Sequence, residues 1–274
     1  MSYLDSLFNL DGKVAILTGG GGVLASKMAE GLVRAGAKVV LIGLHIEKVQ
    51  KCADALTAIG GEAFPIETNV LDKAALEQTR EIILAKYGRI DILINAAGGN
   101  MTGATISPDK TFFDLKMDDF QKVTDLNLNG TVLPTLVFGE VMAKQKKGSI
   151  INISSMAALQ AITRVVGYSA AKAAVSNFTQ WTATEFAQKF GDGVRVNAIA
   201  PGFFIAEQNR ALLTNTDGTY TERGQKVINN TPMGRFGEAE ELIGAILYLS
   251  GDASKFVTGA VLPVDGGFSI FSGV

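Results

Sequence analysis

Thiol and imidazole are almost missing from this chain: in 274 residues there is one cysteine, Cys52, and one histidine, His45. A single thiol cannot form an intrachain disulfide, so a disulfide-stapled secreted scaffold is excluded and a reducing, cytoplasmic compartment is expected. Cys52 falls in a predicted helix and reads as a small helix residue. Charge is also sparse, at 19% of residues with a net charge of −2. That balance supplies no electrostatic reason for a nucleic-acid partner. No long run of one sign marks a disordered tail. The segment Met1 to Asp11 has no cationic region ahead of an apolar one and does not read as a signal peptide. No apolar stretch approaches the ~20 residues that cross a bilayer, so no membrane partner is expected. No Pro/Ser linker, composition shift or internal repeat divides the chain, which is read as one domain over 1–274.

What is present is an alternation of short β-rich apolar runs with longer segments of helical period. Strands are predicted at Val14–Thr18, Lys38–Ile42, Ala63–Glu67, Ile90–Asn95, Ser149–Ser154, Val194–Ala200 and Ala260–Val264. Helices are predicted from Val23 to Ala35, over Ile46–Ile59 and Lys73–Tyr87, within Asp118–Lys146, and over Tyr168–Phe190. Strands apolar throughout and joined by helices imply a seven-stranded parallel sheet covered on both faces, a doubly wound α/β fold of Rossmann type. Such folds take ligands at the carboxyl ends of the strands. One segment departs from the short-loop pattern: 202–237 is long, with Gly, Asn and Thr clusters, and reads as a substrate loop.

Thr18 and the run Gly19, Gly20, Gly21, Gly22 stand between the first strand and the first helix. A tight turn there lets backbone approach a pyrophosphate while the helix N-terminus faces it. A Gly cluster alone equally describes a flexible loop; its position in a βαβ unit favours a dinucleotide site. It is not a P-loop, because no Lys-Ser/Thr opens the helix. At the end of the second strand, where a carboxylate commonly holds the ribose hydroxyls, the chain has Gly43, then Leu44 and His45. Nothing there repels a 2′-phosphate and no Arg attracts one, so NAD and NADP both stay open. His45 is either a ribose contact or a solvated loop residue.

Tyr168 and Lys172 are four residues apart on a predicted helix and share one face. A nearby ammonium favours tyrosinate and is expected to lower the phenol toward working pH, making Tyr168 an acid for ketone reduction or a base for alcohol oxidation. The spacing alone is also that of an ordinary surface pair. Ser154-Ser155 at the end of the preceding strand strengthens the functional reading, since a hydroxyl there would hold a substrate oxygen.

Together these segments resemble the short-chain dehydrogenase/reductase family over essentially the whole chain. The resemblance rests on Thr18–Ala25, Asn95-Ala96-Ala97-Gly98, Asp125-Leu126-Asn127-Leu128-Asn129-Gly130, Ser155, Tyr168-Ser169-Ala170-Ala171-Lys172, Pro201-Gly202 and Asp265-Gly266-Gly267. It implies Asn127, Ser155, Tyr168 and Lys172 as the catalytic group. Ser155, thirteen residues before Tyr168, is implied rather than Ser154. Lys172 would also hold the nicotinamide ribose, and Asn127 a water of the proton relay. It implies a cofactor site of Thr18 to Gly22, Val23, Leu24, Gly43, Leu44, His45, Asn69, Val70, Asn95, Ala96, Ala97, Gly98, Tyr168, Lys172, Pro201, Gly202 and Phe203. It further implies a homotetramer joined through the two long helices and the C-terminal segment.

Three departures from the family pattern involve four positions. Val23 and Ala25 replace later glycines of the Gly motif, Gly43 replaces the NAD-selecting Asp, and Ala206 stands where a Thr commonly contacts the nicotinamide amide. The Gly run, Asn95–Asn100, Phe203–Arg210 and the Phe268–Val274 tail resemble a subgroup of D-mannonate oxidoreductases or fructuronate reductases. A sugar acid asks for Arg forks and amides, and Asn100, Arg164, Gln208, Asn209 and Arg210 are the candidates, with Ser155 on the reacting oxygen. Met101, Phe203 and Phe204 weigh toward a more apolar pocket. The alternatives are 3-oxoacyl reduction, gluconate-type sugar dehydrogenation and, outside enzymes, a cofactor-sensing binding protein on the same fold. No metal site is expected.

Overall fold

In the computed structural model, which describes residues 2–205 and 209–273, seven strands form one all-parallel sheet in the order β3-β2-β1-β4-β5-β6-β7. The chain runs α1 (Tyr3–Phe8), β1 (Val14–Thr18), α2 (Val23–Arg34), β2 (Lys38–Gly43), α3 (Ile46–Ala58), β3 (Ala63–Glu67), α4 (Lys73–Tyr87) and β4 (Ile92–Asn95). It continues through α5 (Met117–Thr124), α6 (Gly130–Gln145), β5 (Gly148–Ile153), α7 (Val166–Phe190), β6 (Val194–Pro201), α8 (Arg210–Leu213), α9 (Glu222–Asn229), α10 (Leu242–Ser250) and β7 (Val261–Val264). The predicted doubly wound α/β fold is therefore the observed one, with strand boundaries within two residues of expectation. Ile90 is buried but lies outside β4, because Asp91 spends its carboxylate on the Val14 amide at 2.9 Å.

Strand alternation sorts the apolar residues into two layers. Ala15, Leu17, Val39, Leu41, Ile92, Ile94, Ile151 and Ile199 face one core, with Met28 and Leu32 of α2, Val49 and Leu56 of α3, and Leu242 and Ile246 of α10. Val14, Ile16, Val40, Ile42, Leu93, Ile150 and Val196 face the other, with Leu76 and Ile83 of α4, Phe138 and Met142 of α6, and Ala183 of α7. Both faces of the central strands are buried: β1 is an apolar run closed by Thr18, and β6 is buried throughout although it carries Arg195 and Asn197, whose side chains donate to the carbonyls of Leu249 and Val257. Pro65 and Pro263 fall on the two edge strands, where a missing ladder N–H is tolerated.

The predicted helix within Asp118–Lys146 is not continuous. α5 ends at Thr124, Asp125–Asn129 forms a π-helical turn closed by the Gly130 amide on the Asp125 carbonyl, and α6 follows. Pro134 lies one turn later in α6 and removes a helical N–H, a feature that disfavours regular α-geometry just upstream. The turn gathers Asn127 into the interior at 0% exposure. Within 202–237, expected as one long loop, the chain forms α8 and α9. Gln208 and Ala206 lie outside the described residues. Among the described residues no helix is long and apolar enough to cross a membrane.

Candidate active site

The strand order reverses between β1 and β4, so the loops leaving these neighbours part from each other above the sheet. The Gly run occupies the first loop. Gly19 has φ +66°, and a Cβ there would lie 2.9 Å from the Ala97 Cα, so the two loops can approach this closely only with glycine at that position. Thr18 ties them together: its buried hydroxyl accepts from the amides of Ala96 and Ala97, each at 2.9 Å. Gly22 caps α2 with no side-chain bond, and no acidic residue follows in the first turn. Gly21, Gly22 and Val23 are exposed and Leu24 half-buried. A solvent-facing, uncapped helix N-terminus behind a glycine turn is the donor set that a dinucleotide pyrophosphate requires, and these residues fit that group.

Farther along the strand ends, Gly43 closes β2, while Leu44 and His45 are exposed and His45 caps α3 without a side-chain bond. No carboxylate stands there. Asn69 is exposed and turns its amide oxygen onto the Leu71 N–H at 2.9 Å; Val70 beside it is buried against Gly130. Asn95 lies differently from what the resemblance implies. Its amide is buried and donates to Thr135 Oγ1 at 3.0 Å and Asn152 Oδ1 at 2.8 Å, and Asn152 passes the chain on to Thr179 Oγ1 at 2.9 Å. This polar ladder pins α6 and α7 to the centre of the sheet, so Asn95 offers the loop its backbone, not its side chain. Pro201 is buried at the end of β6, Gly202 bonds β7 through Val264 O at 2.9 Å, and the Phe203 ring packs edge-on against Phe268 at 5.2 Å.

Around the switch point the four polar side chains of the implied catalytic group come together. Asn127 Nδ2 donates to the carbonyls of Gly99 at 2.7 Å and Val123 at 2.8 Å, and its Oδ1 accepts from the Gly99 amide at 3.2 Å. The π-turn is thereby clasped to the loop after β4. A Cβ on Gly98 would fall 2.6 Å from Asn127 Oδ1 and 3.2 Å from Lys172 Nζ, which places Gly98 between the two. Lys172 is 4% exposed; its Nζ donates to the Ile153 carbonyl at 2.7 Å and stands 5.6 Å from the centre of the Tyr168 ring. Ser155 hydrogen-bonds Tyr168 and accepts from the Ala157 amide at 3.1 Å. Ser154 is committed elsewhere, bonded to Ser176 Oγ at 2.7 Å and the Lys172 carbonyl at 3.1 Å. The two adjacent serines thus differ by strand alternation: Ser154 anchors α7 and Ser155 meets the phenol.

The electrostatics differ from the expectation that Lys172 draws the Tyr168 phenol down. Burial pushes the phenol above its ordinary value, and the bond from Ser155 offsets only part of this. Lys172 is itself depressed by burial to about 8. Burial is what disfavours its ammonium in this dry position, and among the described residues no carboxylate compensates it.

The implied substrate residues are scattered. Asn100 is exposed and bonded to Thr105 Oγ1 at 2.7 Å; Asn209 donates to the Phe204 carbonyl at 2.8 Å; Arg210 is exposed on α8 and does not line the cleft described next. Arg164 does line a cleft of about 590 Å³ between the loop that precedes α7 and helix α9. Arg223 and Lys226 of α9 line it too, and neither was singled out from the sequence. The available signal was Thr221, whose hydroxyl caps α9 through the Gly224 amide at 3.0 Å. A cap followed by a basic helical turn inside a supposed loop marks a structured wall.

Comparison with known proteins agrees with this geometry. The model of a family described as enoyl-(acyl carrier protein) reductase, of the short-chain alcohol dehydrogenase type, matches residues 22–269. The uncharacterized oxidoreductase UxuB of Bacillus subtilis is 46% identical over 97% of this chain and 98% of its own. A Haemophilus influenza structure with bound NAD, provisionally named a D-mannonate oxidoreductase, superposes with a TM-score of 0.92 at 46% identity, covering 99% of this chain and 100% of that one. A gluconate 5-dehydrogenase from Burkholderia cenocepacia, solved with NADP and tartrate, superposes with a TM-score of 0.86 at 31% identity over 97% and 99%. The chain belongs to the short-chain dehydrogenase/reductase family, oxidoreductases that use NAD or NADP on CH–OH groups.

Proposed function

We propose that this protein interconverts a secondary alcohol and a ketone on a sugar acid of the D-mannonate/D-fructuronate type. The observation that carries the reading is the gathering of Ser155, Tyr168 and Lys172 at the end of β5 and the start of α7, with a cleft beside the loop that precedes α7 whose lining includes Arg164, Arg223 and Lys226. The name of the Haemophilus structure points to the same substrate class. The nicotinamide, when bound, supplies or accepts the hydride. Thr18 to Leu24, the Ala96–Gly98 backbone, and Pro201 to Phe203 would hold it. Tyr168 Oη gives its proton to the ketone oxygen or takes it from the alcohol, and Ser155 Oγ holds that oxygen in line. Lys172 Nζ supports the charge on the phenol, and Asn127 keeps the loop after β4 in place above both.

A gluconate-type oxidation is the second reading, favoured by the likeness to the gluconate 5-dehydrogenase structure. A matrix of turnover rates separates the two: NAD(H) and NADP(H) against D-mannonate, D-fructuronate, D-gluconate and an acyl thioester. Highest kcat/KM on the first pair supports the proposal; turnover confined to the thioester sinks it. Because Gly43 leaves the second strand without a carboxylate, appreciable rates with both cofactors are expected.

The family's homotetramer is also proposed here. Leu136 of α6 and Trp181 and Phe190 of α7 are 57%, 63% and 40% exposed and border one apolar groove. Large side chains grouped in this way are characteristic of association surfaces. Light scattering of the purified protein is expected to return four protomers; a monomer would refute it.

A further inference from the structure

We infer that Arg164 and Arg223 form a two-armed anion clamp that receives the carboxylate of the substrate, an inference that rests on the sugar-acid reading above. Arg164 has φ +78°, a left-handed conformation in an irregular loop. A residue other than glycine adopts it only where its surroundings hold it there. The conformation is held from across the cleft, where the Ile106 amide donates to the Arg164 carbonyl at 2.9 Å. Arg223 reaches the same loop from α9, donating to Thr163 Oγ1 at 3.3 Å and the Thr163 carbonyl at 3.5 Å. Both arginines thus meet at the short segment 163–164, Arg164 as part of it and Arg223 from α9, and that segment enters the helix bearing Tyr168.

The charge pattern is incomplete without an anion. Among the described residues no carboxylate bonds Arg223. Partial burial and the nearby Arg164 both work against its charge. Glu222 is the acidic residue on the cleft wall; Lys226 takes it in an ion pair at 2.6 Å, and Arg164 adds a weaker, longer-range attraction to it. Two like charges held together and partly desolvated are unfavourable until a compensating anion arrives. A guanidinium fork matches a carboxylate in two parallel bonds, so the chemistry selected is a carboxylate. Ile106, Ile162, Phe203 and Phe268 form the apolar part of the cleft and exclude water around such a pair. Phe203 follows Pro201-Gly202 and Arg164 precedes Tyr168 by four residues, so the chain runs from the cleft lining directly into the segments that bear the reacting groups. An acid held there by its carboxylate would present a carbon of its polyol chain to Ser155 and Tyr168.

The test compares anionic and uncharged partners of equal length on the full chain with NAD(H) bound. D-Mannonate and D-gluconate are the anionic probes, and D-mannitol and D-glucitol the uncharged ones. Binding is read by titration calorimetry and turnover by the nicotinamide absorbance. Arg223→Gln and Arg164→Asn, the latter chosen because asparagine tolerates left-handed backbone, are each expected to weaken aldonate binding and raise KM by about 10- to 100-fold. kcat changes far less, alditol binding does not move, and Arg223→Lys recovers part of the loss. A general loosening of α9 would instead depress aldonate and alditol together, and that result overturns the clamp. Aldonate turnover and binding unaltered in both variants also overturns it, while leaving the sugar-acid reading standing. Aldonate binding that depends on the arginines, with no aldonate turnover by wild type, supports the clamp and retires the sugar-acid reading. Wild-type protein that binds no aldonate refutes both.

Discussion

Tyr168→Phe is expected to lower kcat by about 10²- to 10⁴-fold, the range removed with a positioned general acid or base. Phenylalanine keeps the ring beside Lys172 and removes the oxygen that meets Ser155. Cofactor affinity, measured by fluorescence titration, should stay within about threefold of wild type, as should thermal stability, because the side chain is only half-buried and its packing is kept. Equal turnover by the variant would remove Tyr168 from the mechanism. It would also revive the reading of the fold as a cofactor-sensing binding protein, which needs no proton donor. In wild type the phenol stands above its ordinary value in the site without cofactor. Oxidation should therefore quicken as pH rises, since the base form of Tyr168 is the scarce species, and Tyr168→Phe should flatten that rise.

Lys172→Met is expected to separate activity from stability. Turnover should fall by at least about 10²-fold, since the charge that supports tyrosinate is lost. Stability should not fall with it. Folding takes the Lys172 ammonium from an ordinary 10.5 to about 8, a penalty on the order of 3 kcal/mol at neutral pH. Methionine has a similar unbranched stem and avoids that cost. It also leaves the Ile153 carbonyl without its donor, which costs roughly 1–3 kcal/mol. The balance at pH 7 is a variant as stable as wild type or slightly more so. The sign with pH follows from the depressed value. Between about 8 and 10.5 the unfolded chain holds more protons at this lysine than the folded one, so this group lets wild-type stability rise with pH. The variant's relative advantage should accordingly be largest below pH 8 and fade toward 10.5. Urea unfolding at pH 7 and pH 9.5 reads the difference. A variant several kcal/mol less stable at pH 7 would show that the buried ammonium is compensated by a partner.

Much of this was legible in the linear chain. Short-range rules placed the strands because the central ones are buried on both faces, so apolar residues dominate Val14–Thr18 and Val194–Ala200, the latter in spite of Arg195 and Asn197. The ligand end of the sheet followed from the glycine turn after the first strand, and Tyr168 and Lys172 from a four-residue spacing on one helix. The boundary of the long helix was not legible. Asp118 to Lys146 has continuous helical pattern, and the π-turn at Asp125–Asn129 is resolved by where Asn127 can reach the Gly99 backbone, 28 residues earlier. The direction of the Asn95 side chain was not legible either. Its motif position suggested a cofactor contact, while its side-chain direction was decided by a strand register that sets it beside Asn152.

By itself the sequence determined the doubly wound α/β class, the cofactor end of the sheet and the Ser/Tyr/Lys/Asn group, because periodicity, turn chemistry and motif spacing are properties of neighbouring residues. Tertiary structure alone decided how burial shifts Tyr168 and Lys172, and that Arg223 joins Arg164 across a gap of 59 positions. Desolvation and charge compensation depend on what surrounds a group in space, and no local pattern in a chain records that.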